Sequence, residues 1–191
     1  MEDQKSWNRR LRVCHVITQL ELGGAQDNTL TTVESLPEDR YETFLICGPG
    51  GMLDERVRTR LGARCHFVPS LIREICPFRD TAAFFSLRRL FIEGRYDIVH
   101  THSSVAGVIG RIAAFSAGVP VILHHVHGWG LHARKSKLIQ LLYVNLERLC
   151  AGFTNQMIVV SRPDIQKGLA HRIGREDKYT LIYNGIDLER F

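Results

Sequence analysis

Residues 97–127 read DIVHTHSSVAGVIGRIAAFSAGVPVILHHVH, and this stretch decides the fold class. Short apolar runs at 97–101 and 120–124 predict two strands. Between them a helix is predicted, because apolar residues recur at helical spacing: Val105, Val108, Ile109 and Ile112. A serine pair before this helix can cap it, and Gly118 can end it. The stretch therefore predicts a strand, a helix and a second strand.

The same alternation extends over the whole chain. Further strands are predicted at 11–19, 41–47, 65–68, 155–161 and 179–184, and further helices at 25–36, 80–93, 135–150 and after Ser161. The segment 69–78 is predicted to be irregular because it contains Pro69 and Pro77. Alternating strands and helices predict an α/β domain, a Rossmann-like parallel sheet of about seven strands with helices on both faces.

Length and composition suit one globular domain. The chain has 191 residues, no apolar run long enough to span a bilayer, and a polar, charged N-terminus that is unlike a signal peptide. Its five cysteines are scattered without a C-x-x-C pair, which favours reduced thiols in the cytoplasm. The net charge of +5 comes from arginine clusters, which suit a solvated surface or an anionic partner. No nucleic-acid-binding motif is present, so we expect no nucleic acid partner.

In parallel sheets, ligands bind beyond the carboxyl ends of the strands, and a glycine pair follows the first strand here. Gly23 and Gly24 open the first predicted helix, where free N–H groups and positive φ angles suit a phosphate. The spacing matches neither the dinucleotide fingerprint nor the P-loop. A plain tight turn is about as good an interpretation of the glycines alone.

Histidines follow the fourth and fifth strands. In HHVHGWG at 124–130, His125 and His127 alternate and are predicted to share a face, while His124 points away. His102 is predicted in the loop after the fourth strand, facing a ligand, whereas His100 is predicted to be a core residue. His102, His125 and His127 offer three nitrogens, but no carboxylate or thiolate is close in sequence. We therefore expect no metal, and a single histidine that donates to a phosphate or sugar hydroxyl.

Taken together, these motifs resemble the N-terminal half of a family 4 glycosyltransferase of the GT-B fold. The resemblance is carried by VCHVITQLELGGAQ, DIVHTHSSVAGVIGRIAAFSAGVPVILHHVHGWG, MIVVS and LIYNGIDLERF, in this order. It implies an acceptor-binding Rossmann-like domain, facing across a cleft a C-terminal domain that binds the nucleotide-sugar donor. It further implies sugar transfer with retention of configuration, without a metal or other cofactor.

The resemblance also implies roles for individual residues. His127 matches a histidine that contacts the donor sugar and is the expected catalytic residue. Gly23 and Gly24 match a glycine loop near the donor diphosphate and the acceptor. His102 matches a histidine near the acceptor.

Three further residues complete the expected substrate-binding set. Ser103 lies directly after His102, at the same strand end. Asn184 and Gly185 match a turn that closes the N-terminal domain. Glu147 is expected to be a structural or surface residue, so no general base is assigned.

These expectations define the domain organisation. Residues 1–187 are expected to form the Rossmann-like domain, residues 188–191 to begin a linker, and the donor-binding domain to be absent. The chain alone is then expected to be inactive. Its expected partners are the missing domain, a nucleotide-sugar, a glycan or lipid-linked acceptor and, at the periphery, the inner face of a membrane.

Two alternatives remain open at this point. The arginine clusters and the apolar segment SLIREICPF suit a membrane- or partner-docking subunit of a split glycosyltransferase. A nicotinamide-dependent oxidoreductase is disfavoured, because Cys47, Gly48 and Pro49 stand where an acidic residue would bind ribose.

Overall fold

A computed structural model describes residues 9–130 and 137–185 of the chain. All strands are parallel and form one sheet in the order β3-β2-β1-β4-β5-β6-β7. The strands are β1 (Leu11–Gln19), β2 (Tyr41–Gly48), β3 (Cys65–Phe67), β4 (Ile98–His102), β5 (Val121–Val126), β6 (Gln156–Val159) and β7 (Tyr179–Leu181). The order reverses between β1 and β4, which creates the crevice where ligands bind in open α/β sheets.

Within the described residues, six α-helices connect the strands. They are α1 (Gly24–Ser35), α2 (Asp54–Leu61), α3 (Pro77–Gly94), α4 (Ser104–Ser116), α5 (Lys137–Phe153) and α6 (Arg162–Ala170). Ser161 caps α6 as predicted, because its hydroxyl accepts a hydrogen bond from the Asp164 amide at 3.3 Å. In the part of the chain that is described, no helix is long and apolar enough to cross a membrane.

The two faces of the sheet carry separate apolar cores. Cys14 and Val16 of β1 pack with Leu87 of α3 and Ala113 of α4. On the opposite face, Ile17 of β1 packs against a second set of buried side chains: Leu30 and Val33 of α1 and Val57 and Leu61 of α2. This arrangement confirms the predicted Rossmann-like sheet with helices on both faces.

Helices α2 and α3 depart from the prediction. Helix α2 was missed because it buries only Val57 and Leu61, and the arginines between them look like a surface charge cluster. Helix α3 begins at Pro77, inside the segment predicted to be irregular. A proline is tolerated at the first helical position, because the N–H that it lacks would have no carbonyl partner in the helix. The Asp80 carboxylate accepts a hydrogen bond from the Cys76 amide at 3.1 Å.

Candidate functional site

A cavity of about 380 Å³ lies at the carboxyl ends of β1, β4 and β5. Its wall is formed by the start of α1, the loop after β5 and one side of α5. The lining includes Gln19, Ala25, Gln26, Arg73, Ser103, His127, Tyr143 and Glu147. The cavity therefore lies where the order of the strands reverses, and at the carboxyl strand ends where the sequence places the candidate site.

Five histidines lie side by side at this cavity, and two of them, His125 and His127, line it. The parallel register places His15 opposite His100 and His102 opposite His125, so that all four share one face of the sheet. His127 continues this face beyond β5, and its ring stacks on that of His125 with centroids 4.1 Å apart. We call these five residues the histidine cluster.

Three members of the cluster form a hydrogen-bonded chain. His15 Nδ1 lies 3.1 Å from His102 Nε2, and His102 Nδ1 lies 3.1 Å from His127 Nε2. His15 and His102 are buried, whereas His127 is partly exposed and lines the cavity. This histidine chain connects the interior of the sheet to the ligand-facing surface.

Burial keeps the imidazoles neutral. Desolvation lowers the pKa of His15 and of His127 to about 3, and that of His125 to about 4. The same cause holds the pKa values of His100 and His102 well below the ordinary range. At neutral pH the cluster therefore offers uncharged imidazole N–H groups and lone pairs.

The predicted division of HHVHGWG between two faces is confirmed. His125 and His127 stack together, while His124 lies on the other face with Nδ1 3.0 Å from Thr101 Oγ1. The His124 ring packs so closely against Gly107 of α4 that a Cβ there would lie 2.5 Å from it.

The predicted position of His102 is wrong. His102 is the last residue of β4, not a loop residue, and it is 0% exposed. It misses the cavity because its ring points along the sheet face into the histidine cluster. Its two ring nitrogens contact His15 and His127.

The turns after β4 and β5 place Ser103, Gly128 and Trp129 in the cavity lining. Ser103 has a φ of 63°, a left-handed conformation that is uncommon for a residue other than glycine, and it lines the cavity. Gly128, with a φ of 96°, turns the chain after His127. Trp129 then anchors the loop, because its buried ring donates from Nε1 to the Asp164 carbonyl at 2.8 Å.

The glycine pair is not part of the cavity lining and lies directly before two residues that are. Gly23 precedes α1 with an extended φ of −179°, and Gly24 does not have a positive φ, so the expected left-handed turn is absent. A Cβ on Gly24 would meet nothing within 4 Å. The next two residues, Ala25 and Gln26, line the cavity.

The predicted turn residues Asn184 and Gly185 lie outside the cavity lining. Both are exposed. The Asn184 side chain accepts a hydrogen bond from Asn28 of α1 at 3.0 Å. This contact connects the end of the described chain to the helix that follows the glycine pair.

A buried ion pair at the cavity was not predicted. Glu147 of α5 is 4% exposed, lines the cavity, and accepts a hydrogen bond from Arg111 Nη2 of α4 at 2.6 Å. Arg111 is 0% exposed and also donates from Nε to the Gly107 carbonyl at 2.8 Å. No local sequence signal marks this pair, because each residue appears as a single charge on a different helix.

The histidine cluster also brings together nitrogens of the type that binds transition metals. Ring nitrogens lie within 4.8 Å of one another in two overlapping groups, His15 with His100 and His102, and His102 with His125 and His127. An ion would compete with the hydrogen bonds of His102 for the same lone pairs. The expectation of no metal stays a prediction.

Comparison with known proteins agrees with this geometry. The sequence model described as Glycosyltransferase Family 4 matches residues 22–190. A galactosyltransferase from Escherichia coli, named UDP-Gal:alpha-D-GlcNAc-diphosphoundecaprenol alpha-1,3-galactosyltransferase, is 36% identical over 187 residues, which cover 98% of this chain and 48% of the relative. The capsular polysaccharide biosynthesis glycosyltransferase CapM from Staphylococcus aureus is 28% identical over 130 residues, covering 66% of this chain and 34% of the relative.

A solved structure shares the fold. The crystal structure of Anabaena Alr3699/HepE in complex with UDP and glucose superposes with a TM-score of 0.69 at 20% identity, covering 94% of this chain and 46% of that chain. This chain spans about half the length of the relatives that it matches. The family match covers most of the chain, and the sheet is the Rossmann-like domain of the GT-B fold. The chain therefore belongs to glycosyltransferase family 4.

Proposed function

We propose that the chain is the acceptor-binding half of a glycosyltransferase that moves a hexose from a nucleotide-sugar to a lipid-linked acceptor, with retention of configuration. The observation that carries this proposal is the cavity at the strand ends, where His127 and the start of α1 converge. The donor-binding half is supplied by a second domain. The acceptor class is proposed from the Escherichia coli relative, whose name specifies a sugar diphosphate on a polyprenol.

The start of α1 suits the charge that develops during transfer. The first amides of a helix have no carbonyl partner within it, and no side chain of the described residues caps α1. Such amides, together with the positive end of the helix dipole, stabilise a diphosphate. His127 adds one more polar group on the opposite wall, which orients the sugar or phosphate at the reacting carbon. Burial lowers the pKa of His127 to about 3, so the ligand-free chain presents this ring uncharged at pH 7.

Acceptor binding is testable on the chain itself. In isothermal titration with a water-soluble GlcNAc-diphosphate-lipid analogue, we expect saturable binding that UDP-galactose does not displace. Ala25→Phe, which fills part of the cavity, is expected to weaken it at least tenfold, whereas His171→Ala, outside the cavity lining, leaves it unchanged. Binding of UDP-galactose without binding of the acceptor analogue would assign the chain to the donor side.

Transfer is testable in a chimera. We expect no transfer by the chain alone. Joining the chain to the part of the Escherichia coli relative that it does not match is expected to give transfer from UDP-galactose to the same acceptor analogue. Transfer by the 191-residue chain alone would contradict the assignment to one half of the enzyme.

A second candidate function, contact with an anionic membrane, is favoured by an apolar stripe on α3. Phe78, Phe85 and Ile92 are spaced seven residues apart and are 90%, 62% and 46% exposed. Helices α3, α4 and α5 pack side by side, and α4 and α5 add exposed apolar residues: Phe115, Leu138, Leu141, Leu142 and Leu149. Arg88 of α3 supplies positive charge beside the stripe, whereas Arg89 pairs with Glu93. Such a surface would hold the cavity near a polyprenol-linked acceptor.

Vesicle co-sedimentation tests this contact. At low salt, we expect binding to phosphatidylglycerol vesicles and not to phosphatidylcholine vesicles. Phe78→Ser with Phe85→Ser is expected to abolish binding, whereas Leu22→Ser, an exposed apolar residue away from α3, has little effect. Equal sedimentation of the double variant and the unaltered chain would remove the stripe from any membrane role.

A further inference from the structure

The histidine chain of His15, His102 and His127 has only two possible directions. A neutral imidazole has one N–H donor and one lone-pair acceptor. Both ring nitrogens of His102 form hydrogen bonds, so His102 is the donor in one bond and the acceptor in the other. The protons of all three rings therefore point either toward the cavity or toward the interior of the sheet.

His15, at the inner end of the histidine chain, distinguishes the two directions. His15 Nε2 is buried and has no hydrogen-bond partner among the described residues. If the protons point inward, His15 Nε2 carries a hydrogen with no acceptor. If they point outward, His15 Nδ1–H donates to His102 and Nε2 keeps a bare lone pair. Buried N–H groups without an acceptor are rarer in proteins than buried acceptors without a donor, so the outward direction is favoured.

We propose that His102 is a positioning residue that, with His15 behind it, holds His127 in the Nδ1–H tautomer and so presents an N–H donor to the cavity. His102 Nδ1–H donates to His127 Nε2, which leaves Nδ1–H as the only N–H of that ring. The group that His127 binds must then be an oxygen with a free lone pair, on a phosphate or a sugar hydroxyl. His127 does not act as a proton acceptor from the substrate at this atom.

The identity of the bound oxygen rests on the proposed glycosyltransferase function, whereas the tautomer does not. In free histidine the Nε2–H tautomer predominates, so the hydrogen bonds of the histidine chain must reverse this preference. The rarity of buried N–H groups without an acceptor is the reason to expect this reversal.

Nitrogen NMR of the histidine side chains tests the tautomer. The ¹⁵N-labelled chain is measured at pH 7.5 with EDTA present, because a protonated ring nitrogen resonates far upfield of a bare one. The His127 ring is assigned from the signals lost in His127→Gln. We expect its Nδ1 to be protonated and its Nε2 to be bare, and a His127 ring protonated at Nε2 would overturn the inference.

A matched pair of variants separates this role from packing. His102→Phe keeps a ring but removes both hydrogen bonds, so His127 is expected to shift toward the Nε2–H tautomer. His100→Phe alters a buried ring of the same cluster whose Nε2 has no partner, and His127 is expected to keep its tautomer. An unchanged His127 in His102→Phe would contradict the positioning role.

If His102→Phe fails to fold, the tautomer of the unaltered chain still decides the inference. If His127 carries its proton at Nε2 and the chimera transfers sugar, only this inference is contradicted. If His127 carries its proton at Nδ1 and the chain binds no acceptor, only the proposed function is contradicted.

Discussion

Arg111 Nη2 lies 2.6 Å from a carboxylate oxygen of Glu147, and neither side chain is more than 5% exposed. The pair joins α4 to α5 at the wall of the cavity. A buried ion pair costs desolvation energy, but the loss of one partner leaves the other charge buried and uncompensated.

We therefore expect Arg111→Met to lower the free energy of unfolding by about 3–5 kcal/mol. The double variant Arg111→Met with Glu147→Leu is expected to be more stable than the single variant, because it leaves no unpaired charge. Urea unfolding followed by circular dichroism measures both. As a control, Arg175→Ala breaks an exposed pair with Asp177 and should change stability by at most about 1 kcal/mol. A single variant as stable as the double variant would show that Glu147 finds another partner.

Gly107 of α4 packs against the His124 ring of the fifth strand. A Cβ at this position would lie 2.5 Å from the His124 ring, so Gly107→Ala is expected to destabilise the chain by about 1–3 kcal/mol. Gly152→Ala, in α5 with nothing within 4 Å, is expected to be neutral or stabilising by up to about 1 kcal/mol. Thermal unfolding of the two variants compares them directly, and equal melting temperatures would refute the packing argument.

Gly24 separates folding from ligand binding. Gly24→Ala places a methyl group in open space at the first residue of α1, so stability should stay within about 0.5 kcal/mol of the unaltered chain. If the donor diphosphate contacts the α1 amides, the same methyl group blocks its approach. Sugar transfer by the chimera should then fall at least tenfold. Unchanged transfer would place the diphosphate elsewhere.

The histidine cluster predicts acid sensitivity. The pKa values of His15 and His125 are lowered in the folded chain to about 3 and about 4, so on acidification the unfolded chain takes up protons before the folded chain does. The free energy of unfolding is then highest above the pKa of an unfolded histidine, about 6.5. Each such histidine lowers it by roughly 2 kcal/mol between pH 7 and pH 5.

Urea midpoints at pH 7.5, 6.5 and 5.5 measure this loss. His100→Phe removes one neutral imidazole and should make the dependence on pH shallower. Midpoints that do not change over this range would show that the cluster accepts protons in the folded state.

Much of the fold could be predicted because its signals are local. Apolar runs mark the strands, and the Ser161 cap and the periodicity of α4 mark helices. Helix α2 escaped prediction since its two buried residues are separated by charged ones. The start of α3 was missed because a proline that stops a helix in its interior can also begin one.

The candidate site was only partly predictable. The alternation of His125 and His127 is a local property of a strand and was predicted correctly. His15 joins the cluster from a strand 87 residues away from His102, through the pairing of β1 with β4, and the sequence contains no mark of that pairing. The contact of Arg111 with Glu147 likewise depends on how two helices pack.

Both outer strands of the sheet, β3 and β7, have only three residues. A strand edge of that length offers a neighbouring molecule few unpaired amides and carbonyls. Although the sheet is open at both ends and rich in apolar strands, it therefore presents a poor template for cross-molecule pairing. The brevity of these edges therefore limits strand-to-strand pairing between copies of the folded domain.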